Sequence, residues 1–333
     1  MAALVTGASG FLGGRLVEML LEKGEAVTVL ARQGATLDHL KGLALRIVRG
    51  SLTDRTALRE ALKGATEIYH CAAASTDWAS DAVYQESNVD GTQVLLEASL
   101  ALPGLRRFLH VSTTDVYGYP HTPGGEDAPL IDAGLPYNRT KRLAELAVWE
   151  AFRRRGLPVT LVRPATIYGP RGKAFVTDIA ALLRDRLMLL IDGGRRRGGF
   201  IYVDDVAHAM IVAAGSDRTV GEAYNLCDGA GGTWREYVNG LADELRLKRP
   251  WLNLPYAAAS VLARGMELPY RMAPTLSGRP LLTRHAVVLL GRDQEFPIAK
   301  ARAHFRFRAE VSLAEGLHRS AEWLRSLEAS PRA

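Results

Sequence analysis

Short apolar runs alternate with segments of helical period along the first 165 residues. The runs are AALVT, AVTVLA, LRIVRG, EIYHCAA, LRRFLHVST and PVTLVRP. Between them, residues 12–23 and 83–102 repeat their apolar positions as amphipathic helices do. Apolar strands separated by helices are typical of a parallel sheet that is buried on both faces. We therefore predict an α/β protein built on a Rossmann-type, doubly wound parallel sheet.

The pattern changes after about residue 165. Two irregular stretches, YGPRGKAF and DGGRRRGG, are followed by FIYVDDVAHAMIVAA, which predicts one further strand and helix. From about residue 228 the chain is mostly helical. We predict a dinucleotide-binding domain over residues 1–165 and about 200–227. Residues 166–199 and 228–333 are predicted to form a smaller, mostly helical lobe that shapes a substrate pocket over the strand ends.

Three glycines lie between the first predicted strand and the first predicted helix. Gly7, Gly10 and Gly13 have the spacing GxxGxxG. Glycines at such a turn let the backbone approach a pyrophosphate, and the helix N-terminus offers unpaired N–H groups to the phosphates. Because the triad directly follows an apolar strand, it predicts a dinucleotide site rather than a merely structural turn.

The end of the second predicted strand indicates which dinucleotide binds. An NAD-selective site places a carboxylate there for the ribose hydroxyls, whereas this chain has Ala31 followed by Arg32. The Arg32 guanidinium can bind a 2′-phosphate through charge-assisted hydrogen bonds. NADP is therefore favoured over NAD. The alternative is that Arg32 simply points to water.

Composition and charge exclude several classes of protein. Only two cysteines, far apart, and eight scattered histidines occur in 333 residues, so neither a disulfide framework nor a metal site is expected. We expect no signal peptide and no transmembrane segment, and a cytoplasmic location. The net charge of +6 arises largely from arginine runs at 153–155 and 195–197. These runs lack interleaved aromatic residues, so nucleic-acid binding is not expected.

The stretch LPYNRTK places Tyr137 four residues before Lys141. Alone, such a pair is common on exposed helix faces. Here it accompanies TGASGFLG, SNVDGT, HVSTTDVYG, RPATIYGP and FIYVDDVAHA. With these motifs in this order, the chain resembles the extended short-chain dehydrogenase/reductase superfamily over nearly its whole length. Its C-terminal third resembles the 3β-hydroxysteroid dehydrogenase branch.

The resemblance implies a catalytic set of Thr113, Tyr137 and Lys141. Tyr137 would exchange a proton with the substrate oxygen. The Lys141 ammonium, together with the positive nicotinamide, would lower the pKa of that phenol from its ordinary value near 10. Thr113 would hydrogen-bond the carbonyl oxygen, with Ser112 as the alternative. Besides the glycines, Arg32, Tyr137 and Lys141, the implied cofactor contacts are Phe11, Leu12, Ser51, Leu52, Ala72, Ala73, Asn88 and Pro164.

We expect the enzyme to interconvert a secondary alcohol and a ketone on a bulky, largely apolar substrate, such as a steroid or a long-chain β-keto acid. One alternative is a nucleotide-sugar epimerase or reductase with tightly held NAD. Against it, Thr166 replaces an asparagine that is usual in those members, and Gly198 and Gly199 replace an arginine–acid pair. The other alternative, a non-catalytic NADP-binding regulator, gives no reason to keep the catalytic set together.

Two further expectations concern the helices. The apolar C-terminal segments suggest a pocket for the substrate, and Trp234 either lines this pocket or packs as an ordinary core residue. The family resemblance also implies a possible homodimer, formed through the helices at about 83–100 and 137–153.

Overall fold

The structure is a computed structural model that describes residues 2–273 and 278–329. Its strands are β1 (Ala2–Thr6), β2 (Ala26–Ala31), β3 (Arg46–Arg49), β4 (Glu67–His70), β5 (Arg107–Val111), β6 (Val159–Pro164), β7 (Thr166–Tyr168), β8 (Leu189–Ile191), β9 (Phe200–Tyr202), β10 (Glu222–Leu226) and β11 (Leu252–Leu254). Its helices are α1 (Phe11–Glu22), α2 (Arg55–Leu62), α3 (Asp81–Tyr84), α4 (Gly91–Leu100), α5 (Pro136–Arg155), α6 (Asp178–Arg184), α7 (Val203–Ala214), α8 (Trp234–Glu244), α9 (Tyr256–Met272), α10 (Arg284–Gly291), α11 (Ala299–Phe305) and α12 (Leu313–Ala329).

Seven parallel strands form the main sheet, in the order β10-β6-β5-β4-β1-β2-β3. Each of the six predicted apolar runs supplies one strand, and β10 adds the seventh beside β6. The strand order reverses between β1 and β4. In doubly wound sheets, ligands bind in the crevice beyond the carboxyl ends of the strands at this reversal. The prediction of a doubly wound α/β fold is confirmed.

Alternate residues of the strands point to opposite faces of the sheet, and both faces are covered. On one face, Val5 and Leu109 join the apolar cluster that includes α1 and α7. On the other face, Leu4 and Phe108 pack with residues of α2, α4 and α5. All four side chains are completely buried. This two-sided burial explains why the strands have continuous apolar sequences rather than alternating ones.

The helix that carries Tyr137 and Lys141 has clear signals at both ends. Pro136 occupies the first turn of α5, where its missing N–H leaves no intrahelical hydrogen bond unmade. Gly156 follows the last residue in the left-handed conformation, with φ +70°. Arg153 to Arg155 form the last turn, where positive charges complement the helix dipole.

The first three residues of FIYV form β9, which does not enter the main sheet. It pairs with β7 in a separate two-stranded sheet, and α7, which follows directly, packs against α1. Trp234 of α8 is 1% exposed and packs edge-on against Phe200. Trp234 is therefore a core residue and not a pocket wall. The proposed domain boundaries remain a prediction.

A buried ion pair fixes α5 against the sheet. Glu145 of α5 and Arg163 of β6 are 0% and 3% exposed, and Nε of Arg163 lies 3.1 Å from Oε1 of Glu145. Ser112 at the end of β5 donates its hydroxyl to the same carboxylate, and the indole of Trp149 donates to it at 3.1 Å. The guanidinium also donates to the Tyr117 hydroxyl at 2.6 Å. Removing either charge would leave the other one buried without a counter-charge.

We predict that Glu145→Ala lowers the free energy of unfolding by about 3–5 kcal/mol, because it leaves the Arg163 charge uncompensated. Glu150→Ala on the same helix is the matched control. Glu150 is exposed and pairs with Arg154 at 2.8 Å, so its loss should cost about 0.5 kcal/mol or less. Urea unfolding of the two variants measures the difference, and equal losses would contradict the assigned role of the pair.

Candidate functional site

The glycine turn forms a cradle in which no side chain would fit. Gly7 has φ +78°, and a Cβ placed on it would lie 2.6 Å from the backbone nitrogen of Ala72. A Cβ on Gly13 would lie 2.4 Å from the carbonyl oxygen of Gly7. Gly10 caps α1 without a side chain, so the first N–H groups of the helix are available to an anion. The cradle fits the pyrophosphate of a dinucleotide.

Side chains next to the glycines support the turn. Phe11 begins α1, and a Cβ on Gly172 would lie 3.4 Å from its ring. Leu12 is 9% exposed and belongs to the core. His39, which the sequence analysis missed, places Nε2 3.1 Å from the carbonyl oxygen of Ala8. Gly14, the second glycine of the GG pair, is the sequence signal for this packing, because a Cβ at that position would lie 2.4 Å from Nε2 of His39.

Two arginines lie at the ends of β2 and β3, where the sequence predicts the adenosine half of the cofactor. Arg32 follows β2 and is exposed. Arg49, which the sequence analysis missed, ends β3 in register with Ala31. Its Nη1 donates to the carbonyl oxygens of Arg32 at 3.2 Å and Ala35 at 2.8 Å. Arg49 therefore orders the turn that carries Arg32 and adds a second positive charge beside it.

The residues after β3 hydrogen-bond to one another and cap the N-terminus of α2. The Ser51 hydroxyl lies 2.9 Å from that of Thr53 and accepts the N–H of Asp54 at 3.2 Å. Asp54 in turn caps α2 with its side chain. Leu52 packs against Gly91, where a Cβ would lie 2.9 Å from it. The acid in GSLTD thus serves as a helix cap.

Asn88 anchors the segment that follows β4. It is 1% exposed and lies in the π-helical stretch Gln85–Asp90. Its Oδ1 accepts the N–H of Ala74 at 2.7 Å, and its Nδ2 donates to the Thr140 hydroxyl at 3.1 Å. Asn88 thereby ties α5 to the strand end where Ala72 and Ala73 lie. Pro164 is buried at the end of β6, in register with Leu226.

The structure brings Thr113, Tyr137 and Lys141 together at the ends of the central strands. Thr113 follows β5, and its hydroxyl lies close enough to the Tyr137 phenol to lower the pKa of that phenol. Lys141 lies one turn after Tyr137 on α5, and its Nζ donates to the carbonyl oxygen of Val111 at 2.6 Å. The Ser112 hydroxyl is engaged by Glu145. Thr113, and not Ser112, therefore faces the phenol.

The charges around the phenol differ in part from expectation. Burial raises the pKa of Tyr137 above its ordinary value, the nearby Asp115 carboxylate raises it further, and the Thr113 hydroxyl lowers it. The lowering expected from Lys141 together with the positive nicotinamide stays a prediction. Burial lowers the pKa of Lys141 to about 8, although the Glu145 carboxylate opposes the shift. The cost of burying the ammonium is thus larger than its stabilisation by nearby carboxylates.

Asp115 connects the Tyr137 site to the C-terminal lobe. Its carboxylate accepts the Tyr119 hydroxyl at 2.8 Å and lies 3.0 Å from Nε2 of His285. The His285 ring stacks on the Tyr137 ring, with 5.4 Å between centroids. The Tyr84 ring also lies near Tyr137, at 6.3 Å between centroids. Neither Asp115 nor His285 belonged to the expected site, and their separation of 170 positions in the chain gave no local signal.

Asn138, the neighbour of Tyr137, was also missed. Its Nδ2 donates to the backbone oxygens of Asp115 at 2.6 Å and Ile131 at 3.0 Å, and its Oδ1 accepts the N–H of Ala133 at 2.7 Å. These three hydrogen bonds hold the turn after β5 against the start of α5. An asparagine directly after the tyrosine in YNRTK is the sequence signal that could have found it.

Over residues 2–273 and 278–329 there is no cluster of three or more side chains able to hold a metal ion. Within the same ranges, no helix has both the length and the apolar content needed to cross a membrane.

Comparison with known proteins adds independent findings. A family model described as NAD dependent epimerase/dehydratase family matches residues 3–227. The 4-hydroxy-2-methyl-3-oxo-4-farnesyl-3,4-dihydroquinoline-1-oxide ketoreductase of Stigmatella aurantiaca is 32% identical over 322 residues, 95% of each chain. The 2-alkyl-3-oxoalkanoate reductase of Stenotrophomonas maltophilia is 30% identical over 330 residues, 96% of this chain and 98% of that protein.

Among solved structures, UDP-glucuronic acid 4-epimerase from Bacillus cereus, in complex with UDP-glucuronic acid and NAD, has a similar architecture. Its TM-score is 0.79 at 23% identity, and the match covers 98% of this chain and 100% of that one. At this level of identity the likeness supports the fold alone.

We predict that the stability of the wild-type protein relative to a Lys141→Met variant rises with pH. The folded protein releases the Lys141 proton near pH 8, whereas the ordinary value is 10.5. Between pH 8 and pH 10.5, Lys141 is protonated in the unfolded state and mostly neutral in the folded state. Its contribution to the free energy of unfolding therefore rises as the pH increases. From about pH 7 to about pH 11, the difference in unfolding free energy should move by about 3 kcal/mol in favour of the wild type.

Urea unfolding over this pH range measures the effect. Lys63→Met is the control, because Lys63 is 71% exposed and lies in a surface ion pair. A difference between the wild type and Lys141→Met that does not change with pH would show that Lys141 is not desolvated.

Proposed function

Because the chain belongs to the NAD dependent epimerase/dehydratase family and is an NAD(P)-dependent oxidoreductase of the extended short-chain type, we propose that it interconverts a secondary alcohol and a ketone on a bulky, largely apolar substrate, with NADP as the preferred cofactor. The observation that carries the proposal is the approach of the Thr113 hydroxyl to the Tyr137 phenol, one helical turn from Lys141, beside the glycine cradle.

The two relatives support a more specific class of substrate. In the name of the Stigmatella enzyme, the 3-oxo group adjoins carbon 4, which carries a hydroxyl and a farnesyl chain. In the name of the Stenotrophomonas enzyme, the 3-oxo group adjoins carbon 2, which carries an alkyl chain next to the carboxylate. We propose for this chain a ketone whose neighbouring carbon carries a long apolar chain and an oxygen-containing group.

Each member of the site has a distinct role in this reaction. Bound NADP(H) supplies a hydride to the carbonyl carbon in reduction and accepts it in oxidation. The Tyr137 hydroxyl donates its proton to the carbonyl oxygen as the alcohol forms, and takes that proton back in the reverse direction. The Thr113 hydroxyl orients the same oxygen. The Lys141 ammonium holds ribose hydroxyls and provides positive charge near the phenolate.

Arg32 and Arg49 support the preference for NADP. The position after β2 has no carboxylate to repel a 2′-phosphate, and two guanidinium groups lie there in its place. The cofactor contacts that the sequence predicts, of which Gly7 is the first and Pro164 the last, remain proposals. The homodimer and the cytoplasmic location stay predictions.

The epimerase alternative is disfavoured by packing. Gly198 and Gly199 occupy the positions of the arginine–acid pair that nucleotide-sugar members often have. A Cβ on Gly199 would lie 2.0 Å from the carbonyl oxygen of Gln294, and one on Gly198 would lie 2.2 Å from the Phe200 ring. No side chain that could bind a diphosphate fits at either place. The regulator alternative is disfavoured because cofactor binding alone gives no role to the Thr113 hydroxyl beside the Tyr137 phenol.

We predict that Tyr137→Phe lowers kcat by about 10²–10⁴-fold, because it removes the group that moves the proton. The dissociation constant for NADPH, measured by fluorescence titration, should change little. Tyr202→Phe removes a buried phenol at the end of β9, whose ring lies beside Tyr168 and Arg319, and serves as the control. Retained turnover in Tyr137→Phe would contradict the proposed chemistry, and a wild-type protein that binds NADPH but turns over no ketone would favour the regulator.

We predict that Arg32→Ala weakens NADPH binding by about 10- to 100-fold, since a charge-assisted hydrogen bond to the 2′-phosphate is lost. Binding of NADH, which lacks this phosphate, should be nearly unchanged. Calorimetric titration of both cofactors tests the difference. The matched control is Arg46→Ala, an exposed arginine on β3 that pairs with Glu60 at 3.0 Å. Equal losses for NADPH and NADH would show that Arg32 does not contact the phosphate.

A further inference from the structure

His285 is the residue of the C-terminal lobe that comes closest to the proposed chemistry. It lies in the first turn of α10, is 12% exposed, and stacks on Tyr137 with an angle of 26° between the rings. Its Nε2 faces the Asp115 carboxylate at 3.0 Å. Because a carboxylate only accepts hydrogen bonds, Nε2 carries a proton.

The other ring nitrogen of His285 has no partner. Nδ1 is buried, yet no hydrogen bond reaches it from any described residue. The polar groups around it are engaged elsewhere. The Tyr119 hydroxyl donates to Asp115 at 2.8 Å, and the Thr283 hydroxyl donates to Asp77 at 3.1 Å while it accepts the N–H of Ala286. A buried polar atom without a partner is unfavourable, so its presence beside a reactive phenol calls for an explanation.

We propose that Nδ1 of His285 binds a carboxylate on the carbon next to the reacting carbon of the substrate. The inference rests on the proposed function and assigns one protein residue to the oxygen-containing group of that substrate. In the doubly protonated ring, Nε2 donates to Asp115 and Nδ1 donates to the substrate. A carboxylate oxygen is the acceptor that suits a cationic donor. Because the His285 ring stacks on the Tyr137 ring, the proposed contact lies beside the phenol that serves the substrate oxygen.

The His285 ring is held in place before any substrate arrives. Thr283 caps α10 and is bound to Asp77 in the segment after β4, and Arg279 pairs with Asp77 at 2.7 Å. The next residue, Arg284, pairs with Glu267, which is 3% exposed. A binding group fixed in this way loses little freedom when the substrate binds.

The test compares two stable alcohols in the oxidation direction with NADP⁺. One is a 3-hydroxyalkanoate with a long 2-alkyl chain, and the other is the same secondary alcohol without the carboxylate. His285→Phe preserves an aromatic ring against Tyr137 but removes both nitrogens. His304→Phe is the control, since His304 lies on α11 and contacts Tyr224 outside the site. NADP⁺ binding by each variant verifies that it is folded.

His285→Phe should lower kcat/KM for the hydroxy acid by about 10- to 100-fold, mainly through KM, because a charge-assisted hydrogen bond is lost. The loss of kcat/KM on the alcohol without the carboxylate should be at least about tenfold smaller, so the preference for the hydroxy acid falls. Equal losses on both alcohols, or no loss on either, would overturn the role of His285 while the proposed function stands. A wild-type protein that binds NADP⁺ but oxidises neither alcohol would instead overturn the proposed function, and the inference with it.

Discussion

The buried pair of Glu145 and Arg163 is the constraint on which the site depends. Tyr137, Lys141 and Glu145 follow one another at intervals of four residues, so they lie on one face of α5. Because Glu145 is bound to Arg163 of β6, it also sets where the Tyr137 phenol and the Lys141 ammonium lie relative to the ends of the strands. Ser112 binds the same carboxylate, so the strand that leads to Thr113 is held by the same group. One buried charge thus sets the relative positions of three residues from two elements.

Local patterns were sufficient to predict the fold and the centre of the site. The apolar runs correspond to strands of the main sheet, and the glycine triad lies at the turn between β1 and α1. Signals of this kind depend on residues that are close in sequence, so one chain reveals them. The resemblance to extended short-chain dehydrogenases/reductases is likewise confirmed by the family match over residues 3–227. The motif order further predicted that Thr113, Tyr137 and Lys141 would meet.

What the sequence did not reveal depends on tertiary packing. His285 reaches Asp115 across 170 positions, and Arg49 reaches the turn after β2 only because β3 pairs with that strand. The pKa of Tyr137 could not be predicted from its spacing to Lys141, because it also depends on burial and on the Asp115 carboxylate. The strand of FIYV was predicted, but its separation from the main sheet was not. In each case the decisive contact joins segments that are far apart in the sequence, so no local pattern could predict it.

Asp77 has a consequence for how the two reactants meet. It belongs to the segment that leaves β4 beside the dinucleotide crevice, and it holds the residues that precede His285 in the lobe. The Asp77 carboxylate therefore joins the segment after β4 to Arg279 and Thr283, the residues that lead into α10. Any shift of that segment would act on the start of α10 through these two hydrogen bonds.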